Sequence, residues 1–232
     1  MEPKEYRARA RESLNGNWGQ AIGVTLVAGV LGAAVVGGGV SINLDEEIVH
    51  LLPDALLILL SSLASISSVL GIAQLVIGGT VQLGYSQYLL KLHDKQPAEF
   101  KDLFSQFERF GQGFAQTFLR GLYVFLWSLL FVIPGIVKGY AYAMTPFIMA
   151  DHPELSANEA ITLSKDMMKG YKGELFLLDL SFIGWDLLCL LTLNLGQIAL
   201  APYRNAAYAA FYRSFQETIP PRETPKAADE ES

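Results

Sequence analysis

Lys138, Asp179, Asp186 and Arg204 stand deep inside long apolar stretches of this 232-residue chain, and Arg120 lies only a few residues into one, where it is expected to reach cytosolic phosphate as an anchor. A charge in hydrocarbon costs about 2.5 to 3.5 kcal/mol on insertion scales, so one that is retained needs a partner or a task. Asp179 and Asp186 are seven residues apart, two helical turns, which places both carboxylates on one helix face. Intramembrane ion pairing by Asp179 and Asp186, or snorkelling of Lys138 and Arg204, explains the four deep charges structurally. The functional alternative assigns Lys138 and Arg204 to an anionic lipid headgroup or solute, with Tyr142 and Tyr208 beside them, and Tyr140 and Tyr203 near by, as anchors.

Other chemistry is poorly provided for. His50, His93 and His152 fall in separate loops, and no HExxH, GxSxG or phosphate-binding loop occurs. The serines at 61, 62, 65, 67 and 68 read as helix-packing residues. Cys189 is the sole cysteine, so one chain can build neither a disulfide nor a cysteine-based metal site. No enzymatic activity and no cofactor are expected. A net charge of −6 leaves no basic face for phosphates, which sets nucleic acid aside as a partner.

The elements that must position these residues are apolar and long. Half the residues are hydrophobic and mean hydropathy is positive. A hydrocarbon core of about 30 Å takes roughly 20 helical residues, and the blocks 18–42, 55–90, 113–150 and 174–212 reach that length. Pro134-Gly135 and Asn194-Leu195-Gly196 interrupt the last two, which predicts a hairpin in each. The expectation is an all-α polytopic transmembrane bundle of about six spans, with residues 51–64 as an outer helix. Basic residues concentrate at the N-terminus, in 91–112, in 151–173 and after Arg213, whereas 43–54 has none. By the positive-inside rule this predicts a multi-pass protein of the cytoplasmic membrane with both termini cytosolic. Residues 1–217 form one domain in this reading, and 218–232 a Pro- and charge-rich disordered tail.

An internal repeat organises the domain. Segment 99–110 places Phe100, Leu103, Phe104, Phe107 and Phe110 at helical spacing, a surface amphipathic helix. Ser156 and Glu159 have capping-box spacing ahead of Ile161, Met167 and Met168, and Tyr6, Ala10 and Leu14 form a shorter stripe. A glycine joint follows each: Gly16 and Gly19, Gly111 and Gly113, Gly170 and Gly173. These predict three units of surface helix plus hairpin, at about 1–95, 96–153 and 154–217.

Taken together, Arg11 through Trp18, Ile133 through Lys138, Tyr142, Pro146, Asp151, Pro153-Glu154-Leu155, Asp179 through Trp185, Pro202-Tyr203 and Phe211-Tyr212 resemble the bacterial integral membrane family catalogued as domain of unknown function 975. That resemblance implies a multi-span membrane protein and carries over no ligand residues. Asp186 departs from the apolar residue expected after the tryptophan. The functional expectation is a non-enzymatic scaffold or modulator of envelope components, with membrane lipids and a membrane-protein partner or a second copy as its associates. The alternative is a transporter or lipid-handling protein with an anionic ligand near Lys138 and Arg204.

Overall fold

Tyr6, Ala10 and Leu14 recur every four residues, so a helix through them has one apolar face. Helix α1 (Pro3–Leu14) forms there, with proline in its first turn, Glu5 near its N-terminus and Arg11 in its last turn. The computed structural model describes residues 2–32, 77–130, 132–192 and 195–218, and all regular structure within them is helical. After α1 come α2 (Trp18–Val30), α3 (77–93), two 3-10 turns (Phe100–Phe104 and Phe107–Arg109), α4 (Phe110–Leu130), α5 (Val132–Ala141), α6 (Thr145–Asp151), α7 (Ala157–Met167), α8 (Lys172–Leu180), α9 (Ile183–Leu191) and α10 (Gln197–Thr218).

Helix α10 is the hub. Its small residues Ala206, Ala207, Ala209 and Ala210 are buried and let neighbours approach closely, while Phe211, Tyr212 and Phe215 fill the space beyond. The stripe of α1 lies on it: Tyr6, Ala10 and Leu14 are buried, and the Tyr6 and Phe211 rings sit 5.1 Å apart. Each such large apolar side chain contributes at most about 1.5 to 3 kcal/mol. Residues from α2, α3, α6, α7 and α8 complete the same core. A smaller cluster of Ala141, Tyr142 and Ile161 joins α5 to α7.

The first and third glycine joints share a backbone state. Gly16 and Gly170 have φ of 81° and 83°, the left-handed region that side chains disfavour, and each follows a fully buried residue by two positions, Leu14 and Met168. The middle joint differs, because α4 already begins at Phe110 and Gly113 lies inside it. There the lack of a side chain serves packing: a Cβ on Gly79 would lie 2.1 Å from the Gly113 carbonyl oxygen, so α3 and α4 cross backbone to backbone. The Ser156–Glu159 capping box is present, with the Ser156 amide donating to Glu159 Oε2 at 2.8 Å.

Two expectations need correction. Segment 99–110 is not one amphipathic α-helix but two 3-10 turns. The Glu99 amide donates to Asp102 Oδ2 at 2.8 Å, and buried Asp102 pairs with Lys91 at 2.7 Å, so the turn is tied inward around buried Leu103. Phe100, Phe104, Phe107 and Phe110 remain exposed.

The larger correction concerns the membrane. No helix among the described residues is long and apolar enough to cross one, so the polytopic transmembrane bundle and the multi-pass localisation do not stand. Block 113–150 is divided, and α5 and α6 have only ten and seven residues, about 15 and 10 Å against a core of about 30 Å. In block 174–212, α8 and α9 have nine residues each. The two long helices, of 21 and 22 residues, are diluted by polar side chains: Gln112, Gln116 and Arg120 in α4, Arg204, Asn205 and Arg213 in α10. Run length counts apolar residues whether or not the chain turns among them, and it turns at Tyr142–Met144 and at Ser181–Phe182. The expected outer segment 43–54, the helix at 51–64, His50, the serines at 61–68 and the tail beyond Thr218 lie outside the described residues.

Candidate functional site

Helices α8 and α9 carry Asp179 and Asp186, and α10 passes both. Arg204 donates to both oxygens of Asp186, at 2.6 and 2.5 Å, and Gln197 two turns earlier adds a bond to Oδ1 at 2.9 Å. Both bonds come from one nitrogen, Nη2, a charge-assisted contact that ties α9 to α10. The Arg204 guanidinium also lies 5.4 Å from the Phe182 ring centre. Asp179 is held differently. It accepts from Tyr140 on α5 at 2.9 Å, and from Tyr208 on α10 in a short bond. Burial, reinforced by the Asp179 carboxylate, pushes the Tyr140 phenol up to about 12 and that of Tyr208 higher still.

Lys138 occupies another environment, its ammonium 4.3 Å from the Trp127 ring centre in a cation–π contact between α4 and α5. Tyr142 is buried beside Tyr123, and burial raises its pKa. The structure therefore joins Asp186 to Arg204 and Asp179 to Tyr208. No contact among the described residues joins Lys138 to Arg204, and each cation already faces a partner.

Sequence reasoning missed Arg213. It bridges Asp94 (2.6 Å) and Asp151 (2.8 Å), tying α10 to the ends of α3 and α6, and Tyr212 also reaches Asp151 at 3.2 Å. These partners lie 119 and 62 residues away, so no local spacing announces them. Arg109 also bridges distant backbone, donating to the carbonyls of Met149 and Pro153. Arg120, expected to reach outward to phosphate, is half-buried in α4, and loss of water lowers its pKa to about 10. Among the described residues no group of three or more His, Cys, Asp or Glu is placed to hold a metal ion.

The polar side chains thus turn largely toward one another, while large apolar ones face outward. On α4, Phe118, Leu122, Phe125, Leu126 and Leu129 are 38 to 72% exposed and spaced at 4, 3, 1 and 3 residues, a single helical stripe. Ile133, Ile136 and Val137 extend it onto α5. The α8–α9 pair presents a second face that includes Phe176, Leu180, Ile183, Leu187 and Leu191. The hydrophobicity of these positions was legible in the sequence, but was assigned there to membrane spans.

This arrangement defines a helical protein with an interior locked by ion pairs and tyrosine–carboxylate bonds, and with apolar surfaces on two helix pairs. It belongs to the family described as Protein of unknown function (DUF975), whose model matches residues 1–138 and 129–218. No curated protein and no solved structure matches the chain.

Proposed function

We propose that this chain is a non-enzymatic docking protein, a scaffold or modulator that holds partner proteins on the apolar face of the α4–α5 pair. The stripe from Phe118 to Leu129 carries this reading. Folded monomers seldom leave more than a few hundred Å² of contiguous apolar surface uncovered, and larger patches mark places where something binds. Five large side chains on one helix line, continued by three on the next, make a face of the kind another helix covers by knob-and-groove packing. Aromatic residues along it, Phe118 and Phe125, are of the type that anchors interfaces. The engagement of Lys138 and Arg204 by internal partners lends less support to an anionic ligand at those two positions.

The reading is tested by replacing Leu122 and Leu126 together with lysine. Both are exposed, at 38 and 48%, so helix content should be unchanged by circular dichroism. Gentle purification from the native host, followed by cross-linking and light scattering, should show a stoichiometric protein associate for the wild type, a second copy or another chain, that the variant loses. An unchanged set of associates, or a wild type covered by lipid alone, would reject the proposal.

A further inference from the structure

A cavity of about 390 Å³ opens between α1, α2, α9 and α10. Trp18, Trp185, Leu188, Leu200 and Tyr203 wall it, and its lining is almost wholly apolar. Among the described residues that line it, Arg11 is the only charged one. The guanidinium of Arg11 is poised 6.0 Å from the centre of the Tyr203 ring and has no carboxylate partner among the described residues. Tyr203 itself packs between Trp18 (6.3 Å) and Phe182 (5.4 Å, edge to face), so the cation lies against an aromatic cluster.

Two further arginines engage the Ser181–Phe182 turn, whose Phe182 ring packs on Tyr203. Arg7, one turn before Arg11, donates to the Ser181 carbonyl at 3.3 Å, and Arg204 lies over Phe182. The Nε atoms of Arg7 and Arg204 are buried without a hydrogen-bond acceptor. A buried donor left unmade costs about 1 to 3 kcal/mol. Asp186 neutralises only Arg204. The volume of the cavity falls within the range of small-molecule sites, roughly 300 to 1,000 Å³, and the one charged side chain among its described lining residues is cationic.

We propose that this cavity binds a single-chain anionic amphiphile, its tail against Trp18, Trp185 and Leu188 and its carboxylate or phosphate head on Arg11. An uncharged tail would leave the guanidinium without its acceptor, and a free anion would leave the apolar walls wet. The site is distinct from the α4–α5 face, and its occupant is a small molecule rather than a protein.

Trp18 and Trp185 supply the readout, because both line the cavity and the third tryptophan can be removed as Trp127→Phe. In that background, the full chain is titrated below micelle-forming concentrations with 12-bromododecanoate, whose bromine quenches indole emission. Dodecyl phosphate and inorganic phosphate are added as competitors, and neutral 12-bromododecanol serves as the uncharged comparison. The expected result is saturable quenching by the carboxylate and displacement by dodecyl phosphate. Inorganic phosphate should not displace it, and the alcohol should bind at least tenfold more weakly. Arg11→Gln, an exposed change that leaves the fold alone, should bring the carboxylate down to the level of the alcohol. Leu188→Phe, at an exposed wall position, should weaken both ligands by filling the tail site without adding an indole. Equal binding of acid and alcohol to the wild type, undiminished acid binding by Arg11→Gln, or displacement by inorganic phosphate would each overturn the proposal.

Discussion

Replacing Asp179 by asparagine keeps the shape of the side chain and removes only its charge and one acceptor oxygen. In the native protein that carboxylate accepts from two phenols contributed by different helices, Tyr140 at 2.9 Å and Tyr208 in a shorter bond. Hydrogen bonds to an ionised group contribute about 1.5 to 3 kcal/mol each, and neutral ones about 0.5 to 1.5. The difference is about 1 kcal/mol per bond, so Asp179→Asn should destabilise the protein by about 2 kcal/mol. The attribution is checked by a cycle. In a Tyr140→Phe, Tyr208→Phe background the same Asp179→Asn change should cost under about 0.5 kcal/mol, since no phenol remains to miss the charge. Urea denaturation followed by circular dichroism reads all four proteins. If Asp179→Asn costs the same with and without the tyrosines, the carboxylate acts through something other than these two bonds.

Alkaline pH should probe the same groups. Burial raises Tyr88 and Tyr140 to about 12 and moves Tyr85 and Tyr208 further in the same direction, so the folded state favours neutral phenols more strongly than the unfolded state. Their contribution is complete below pH 10 and is lost as pH rises through 10 toward 12 and beyond, so the urea midpoint should fall across that window and fall less steeply in Tyr208→Phe. Arg213→Gln should cost about 2 kcal/mol, because it removes the cation that bridges Asp94 and Asp151, and sodium chloride should recover part of the loss. Asp186→Ala should cost about 1 kcal/mol, the pair being partly exposed, and Arg204→Ala a similar amount, with double-mutant coupling measurable by thermal melts. Gly79→Ala should lower stability by at least about 2 kcal/mol, since its new methyl meets the Gly113 carbonyl rather than a movable side chain, whereas Gly139→Ala, with open space around it, should be near neutral.

Local pattern was the legible part of this molecule. The four-residue recurrence of Tyr6, Ala10 and Leu14 named the buried face of α1, Ser156 and Glu159 named the start of α7, and the paired glycines at 16 and 170 named two joints. What covers each face was not legible. The α1 stripe, read as a surface helix, is buried by Phe211 and its neighbours some 200 residues on. The apolar blocks were misread for a related reason: hydropathy records the content of a segment but not where it folds back, and α8 and α9 part at Ser181–Phe182, where neither proline nor glycine stands. At the candidate sites, the charges of Asp186 and Arg204 were visible as outliers, but their mutual engagement and the position of Arg11 over Tyr203 depend on contacts between distant segments.

The seating of α1 on α10 also bears on the order in which the chain acquires its structure. Tyr6 meets Phe211 across 205 positions, and Arg7 meets Ser181 across 174. At synthesis rates of roughly 5 to 20 residues per second, the apolar face of α1 waits about 10 to 40 s for its permanent neighbour to be made. During that interval Tyr6 and Leu14 lack the surface that finally buries them, and closure links α1 to α10 across some 200 positions. Such distant closure is slow and leaves the nascent protein vulnerable to capture by other chains. A truncation that stops short of α10 should therefore lose the resting place of α1 as well as its own missing helix, and be recovered mainly as aggregate or bound to chaperone.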